Sequence, residues 1–179
     1  HFVDNYGEGG HDSYPSPTSW RVLLEVYLEP FRACFQEGGS RSVMSSYNSI
    51  DGVPVSCNDR LLNQILKNEW GFDGYVVCDY GAVGLLKDGH FMAETHEDAL
   101  AMSINSGLDL ELMNTHENIL NLVKEGKISE EIVNESVRRI LKIKFELGLF
   151  DNPFVDAKKA AKIVRCDEHK ALAEEAARK

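Results

Sequence analysis

Asp79 ends the apolar run YVVC at residues 75–78, and a carboxylate in that place stands where a strand gives way to a loop. In parallel α/β folds ligand sites form at the carboxyl ends of strands, because loops and helix N-termini converge there. A fixed anion at such a mouth, with few water contacts, suits attack on an electrophilic centre. The competing reading is structural, since Asp79 is equally well placed to cap a helix starting near Ala82. Position alone leaves the two open. The same strand-end rule selects Met44, Tyr47 and Asn48 after one β-prone run, Tyr80 beside Asp79, and Asp109 and Glu111 in a third run. The last two alternate and share a face, so either one reaches a site or serves as a structural hydrogen-bond acceptor.

Other groups carry less. Gly7, Gly9 and Gly10 (GEGG) follow no long strand and precede Pro15 and Pro17, so a surface loop is expected there, not a phosphate cradle. His90, Glu94, His96 and Glu97 have a spacing that fits no standard metal site, and they read as solvated loop or helix residues. No metal or other cofactor is expected. Cys34, Cys57, Cys78 and Cys166 show no short paired spacing and read as free thiols, Cys34 and Cys78 as small core residues. Free thiols tilt the compartment slightly toward cytoplasm.

Three β-prone runs position these residues: 42–47 (SVMSSY), 74–80 (GYVVCDY) and 107–112 (GLDLEL). Each follows a helix, and their spacing matches the ~30-residue βαβ unit, so a parallel sheet is expected. Trp20, Leu23, Leu24, Tyr27, Leu28, Phe31 and Phe35 recur at helical spacing, with Pro30 expected to kink the segment. Asn58 is placed to cap a helix that buries Leu61, Leu62, Ile65 and Leu66 and stops at Gly71. A third helix is expected from about Thr95 to Ser106. Thr115 and Gly126 bracket a fourth, and Ser129 with Glu130 and Glu131 opens a fifth. The fifth is expected to bury Ile132, Val133, Val137, Ile140 and Leu141 and to end by Gly148. Asp151-Asn152-Pro153 then breaks the pattern.

The chain has 179 residues, 43% of them hydrophobic and 27% charged, which is an ordinary globular composition. Its net charge of -10 would repel a nucleic-acid backbone or an anionic membrane surface, so a neutral substrate fits better. No apolar run approaches the ~20 residues that cross a bilayer. A closed eight-strand barrel needs ~250 residues, so the chain is expected to hold about half of one and to be a piece of a larger body.

The motifs also coincide with a known pattern. LNQILKNEWGFDGYVVCDYGAV, residues 62–83, resembles the stretch of glycoside hydrolase family 3 that carries its nucleophile, where W-G-F-x-G leads into a strand ending in S-D-Y-G or S-D-W. The resemblance places that nucleophile at Asp79, with Cys78 in place of the usual Ser. His1-Phe2-Val3 resembles the family's K-H-F, whose Lys and His bind sugar hydroxyls. VMSSYNSIDGVPVSCN, residues 43–58, resembles the segment whose Met and Tyr line the subsite for the cleaved sugar, here Met44 and Tyr47. RRILKIKFELGLFDNPFVD (138–156) and HKALAEEAARK (169–179) look like the closing barrel helix and the connection to a second domain.

What the resemblance implies is the C-terminal half of a (β/α)8 TIM-like barrel over residues 1–156. Residues 157–179 would be a linker and helix leading to an α/β-sandwich domain. The implied activity is that of a retaining, exo-acting β-glycosidase, β-glucosidase first and β-xylosidase next, with Asp79 as nucleophile and His1, Met44, Tyr47 and Tyr80 binding the sugar. The implied partners are a carbohydrate substrate and the rest of the same enzyme, including a sandwich domain that supplies the acid/base. The family's N-acetylglucosaminidase branch uses a catalytic His in a pattern like D-S-H. Here His11-Asp12-Ser13 is followed by Tyr14, which fits that branch less well. The alternatives are a non-catalytic carbohydrate-binding barrel, or an aldolase or metal-dependent hydrolase. The last two would want a strand-end Lys or a His and Asp cluster, and neither is evident in these runs.

Overall fold

A computed structural model of the chain describes residues 1–4, 11–113 and 118–179. Two compact units result, His1–Ile143 and Lys144–Lys179. The strands are β1 (Pro15–Ser16), β2 (Ser42–Met44), β3 (Ser49–Ile50), β4 (Val53–Pro54) and β5 (Tyr75–Val77). The α-helices are α1 (Trp20–Val22), α2 (Glu29–Gln36), α3 (Ala82–Asp88), α4 (His96–Asn105), α5 (Ile119–Lys124), α6 (Glu130–Glu146), α7 (Ala157–Ile163) and α8 (Asp167–Arg178). A wide-turned helix, Arg60–Glu69, precedes β5.

The first unit is organised by a parallel wall. β2 and β5 run parallel with Val43 opposite Val76. On the β2 side, the Phe2 N–H donates to the Met44 carbonyl at 2.8 Å. On the β5 side, Val77 forms a parallel bridge to Leu110, and the Cys78 N–H donates to the Leu110 carbonyl at 2.9 Å. Parallel neighbours need long crossovers, supplied here by the Arg60–Glu69 helix before β5 and by α3 and α4 after it. The ladders are shorter than the β-prone runs, and the third run is reduced to a bridge. One reason is Asp109, whose Oδ2 accepts the Val76 N–H at 2.8 Å, so a side chain takes a bond that a strand carbonyl would otherwise make. A smaller sheet, β1-β3-β4, closes through a hairpin whose central residues, Asp51 and Gly52, both have positive φ, the requirement of a type I′ turn.

The helix signals explain most of the core. Asn58 Oδ1 accepts the Leu61 N–H at 3.1 Å, and Leu61, Leu62, Ile65 and Leu66 are buried as expected. Thr95 Oγ1 accepts the Asp98 N–H to open α4, and Ser129 Oγ accepts the Ile132 N–H to open α6. Gly126 follows α5 with positive φ, whereas Thr115 lies outside the described residues. Pro30 does not kink a continuous helix. The chain breaks at Leu28, and Pro30 sits in the first turn of α2, where a missing N–H costs nothing. The preceding Leu23–Tyr27 turn is widened, with Leu28 N–H bonding back five residues to the Leu23 carbonyl. That widening rotates the apolar stripe, so Leu23 and Leu28 are buried but Leu24 is exposed.

The expected burial of the whole α6 stripe is also corrected. Ile132 and Val133 pack partly against the core, while Val137 and Leu141 are exposed. The helix stands off the wall and leaves a cavity of about 200 Å³, lined by Leu100, Ile104, Leu110, Ile119, Val133 and Val137 among others. Among the buried aromatics, Phe2 meets Phe31 edge-on at 5.2 Å and Trp70 at 6.1 Å, which fixes the His1–Phe2 segment against the wall. In the second unit Gly148 takes a positive φ after α6, the Phe145 and Phe150 rings meet in a tilted pair at 4.4 Å, and the Asp156 carboxylate caps α7. No helix among the described residues is long and apolar enough to cross a membrane.

Candidate active site

Asp79 follows directly on Cys78, the last residue of its strand bonded into the wall. Gly81, at φ 74°, then turns the chain into α3, a left-handed conformation that suits glycine. The capping alternative fails on this geometry. The α3 N-terminus carries no side-chain cap, and it is the main-chain carbonyl of Asp79 that accepts the Ala82 N–H, at 3.0 Å. The carboxylate is left for other partners. Its Oδ1 accepts the Tyr80 N–H at 2.6 Å, and its Oδ2 lies 2.5 Å from His1 Nε2. With 16% of the side chain exposed, the group is largely screened from water yet reachable.

Tyr47 closes the cluster. Its hydroxyl donates to the Tyr80 carbonyl at 2.8 Å, and its ring meets that of His1 edge-on at 5.8 Å. Burial, with help from the hydrogen bond and charge of Asp79, pushes its pKa up to about 12. Tyr47 is therefore a neutral donor at any ordinary pH. The structure thus brings together the side chains of three of the five residues singled out for the site: His1, Tyr47 and Asp79. Tyr80, an exposed residue, and Met44 join through their backbones, Tyr80 by donating to Asp79 and accepting from Tyr47, Met44 by pairing with Val77 and accepting from Phe2.

The remaining strand-end candidates have structural partners. Asn48 is fully buried and donates to the Asp4 carbonyl at 2.7 Å. Asp109 forms a buried ion pair with Lys67 at 2.9 Å, the two side chains 2% and 10% exposed, and also accepts from Ser136 at 3.0 Å. Desolvation lowers the Lys67 pKa against the pull of Asp109. Glu111 accepts the Met113 N–H at 2.7 Å. Lys67 carries no motif in the sequence, and only the buried environment reveals it.

The histidines divide. His96 lies 3.7 Å from Asp88 on an exposed face, as expected of a solvated residue. His90 does not fit that expectation. It is half-buried, its Nε2 is 2.7 Å from the Tyr47 carbonyl, and burial lowers its pKa. Among the described residues no three His, Cys, Asp or Glu gather as a metal set. All four cysteines are free. Cys57 and Cys78 are buried, with pKa values pushed by burial to about 12 and about 11, while Cys34 is exposed rather than a core residue. Cys34 lies on the outer side of α2, whose apolar contacts run through Phe31 and Phe35. Tyr14 is buried, its carbonyl accepting the Ser49 N–H. Gly7, Gly9 and Gly10 lie outside the described residues.

Parallel strands joined by helical crossovers, with a screened carboxylate at the carboxyl edge, define an α/β protein with a strand-end site. Its family follows from comparison. Residues 1–143 match the Glycosyl hydrolase family 3 N terminal domain, and the chain belongs to that family. A putative beta-xylosidase of Formosa agariphila is 35% identical over 98% of the chain, and a beta-glucosidase of Rhizobium radiobacter is 38% identical over 84% of it. The crystal structure of a beta-glucosidase from Listeria innocua covers 98% of the chain at 32% identity with a TM-score of 0.90, and that enzyme is also solved with glucose. The chain spans 24%, 17% and 25% of these three proteins.

Proposed function

We propose that the chain is the nucleophile-bearing part of a retaining, exo-acting β-glycosidase that removes terminal β-D-glucosyl residues. The parallel wall is read as the C-terminal half of a (β/α)8 barrel over residues 1–156, with 157–179 leading into an α/β-sandwich domain. One observation carries the reading: the Asp79 carboxylate is held at the strand end by the Tyr80 N–H and His1 Nε2, beside the Tyr47 hydroxyl.

Asp79 attacks the anomeric carbon through an oxocarbenium-like transition state, and the bond from C1 to the leaving oxygen breaks as the ester forms. A second carboxyl group, ~5–5.5 Å away, protonates the leaving oxygen and then activates the water that releases the sugar with retention. The sandwich domain is the proposed source of that group. The Tyr80 N–H fixes one nucleophile oxygen, and Tyr47, His1 and Met44 position the sugar, so that binding energy is spent on alignment. A β-xylosidase is the second reading, favoured by the Formosa relative.

In the full-length enzyme, Asp79→Ala is expected to lower kcat by at least ~10³-fold while leaving the thermal transition in place. Wild-type turnover in that variant would refute the assignment.

A further inference from the structure

We propose that His90 is a positioning residue for this site, acting through Tyr47. The inference rests on the reading of Asp79 as nucleophile. The chain leaves the site at Asp79, turns at Gly81, and runs through α3. At the far end of that helix the His90 N–H is anchored to the Leu85 carbonyl at 2.7 Å, and the Met92 N–H to the Leu86 carbonyl at 2.7 Å. Gly89 lies so close to Ser13 that a Cβ would stand 2.6 Å from its hydroxyl oxygen, which fixes the turn from the other side. This turn delivers the His90 ring to the Tyr47 carbonyl at 2.7 Å, and Tyr47 in turn donates its hydroxyl to the Tyr80 carbonyl at 2.8 Å. Asp79, α3, His90, Tyr47 and Tyr80 therefore form a closed circuit of bonds that begins and ends at the carboxylate.

The chemistry fixes the form of the ring. A carbonyl only accepts, so Nε2 must carry the proton. A surface histidine would exchange such a bond for water at little cost. A half-buried one leaves the Tyr47 carbonyl unpaired when removed, and the strand end that carries Tyr47 is then free to shift. Misplacement of a site group by about 1 Å is worth ~10²-fold in rate.

The test uses the full-length enzyme, a 2-deoxy-2-fluoroglucosyl fluoride that glycosylates the nucleophile with loss of fluoride, and a double-mutant cycle. His90→Ala is expected to slow labelling of Asp79 and to lower kcat by up to about tenfold, the loss expected of the Tyr47 hydroxyl itself, with a smaller change in KM. His90→Gln, whose amide still donates, is expected to recover part of the loss. In a Tyr47→Phe background, the His90→Ala effect is expected to shrink to about twofold or less, because the group it positions is gone. If His90→Ala fails to fold, the comparison is made with His90→Gln in both backgrounds. Wild-type labelling in the His90 variants, or an equal loss in both backgrounds, overturns the positioning role while leaving the nucleophile assignment standing. Wild-type enzyme that carries no label on Asp79 overturns the assignment itself and this inference with it.

Discussion

Tyr47 shows what the site demands of a single residue. Its hydroxyl must stay protonated to donate to the Tyr80 carbonyl beside Asp79, and burial next to that carboxylate lifts its pKa to about 12. An unfolded tyrosine titrates near ~10. The stabilisation tied to the neutral hydroxyl is thus complete below pH ~10 and fades as pH rises through about 12. Tyr47→Phe is expected to lower kcat of the full-length enzyme roughly tenfold, the worth of one hydrogen bond near a charge. It should leave the pH profile between 8 and ~10 unchanged, and an alkaline limb in that range that vanishes in Tyr47→Phe would contradict the account. Much at this scale was legible in the sequence. Asp79 and Tyr47 stand at the ends of β-prone runs, where parallel α/β folds place ligand sites, and the structure brings their side chains together with that of His1. The roles of Asp109 and His90 were not, because they depend on partners distant in sequence. Asp109 meets Lys67 across 42 positions, and His90 meets Tyr47 across 43.

At the scale of elements, local signals held where the chain alone decides the outcome. Asn58, Thr95 and Ser129 cap as their types suggest, because a cap needs only residues within one turn. Periodicity misled where tertiary geometry intervenes, as in the widened turn that exposes Leu24 and the stand-off of α6 that exposes Val137 and Leu141. The Lys67 and Asp109 pair ties several elements together. It joins the Arg60–Glu69 helix to the third run, and Asp109 binds both β5 and α6 through Val76 and Ser136. Asp109→Ala leaves the buried Lys67 ammonium with no counter-charge and only the Gly107 carbonyl to accept from it, and is expected to destabilise the chain by about 3 kcal/mol, read from the urea midpoint. Asp109→Asn should cost less, because its amide oxygen still accepts from Val76. Equal stability of Asp109→Ala and wild type would show that the tie contributes nothing.

For the molecule as a whole, a net charge of -10 and a polar, screened site suit a neutral sugar better than an anion. The family was legible because several motifs occur in order over most of the chain, a far more specific signal than one carboxylate. The proposed second carboxyl group was not, since nothing in a residue's type would point to a partner from another domain. The 179-residue chain alone is accordingly expected to show no hydrolysis of 4-nitrophenyl β-D-glucoside. Steady release of nitrophenol by the purified chain would mean that it holds its own acid/base.

The most direct measurement is to trap the glycosyl-enzyme. Full-length protein treated with a 2-deoxy-2-fluoroglucosyl fluoride, digested and sequenced by mass spectrometry, is expected to carry one sugar, esterified to Asp79 in the peptide that contains YVVCDY. A sugar found on any other carboxylate would contradict the account.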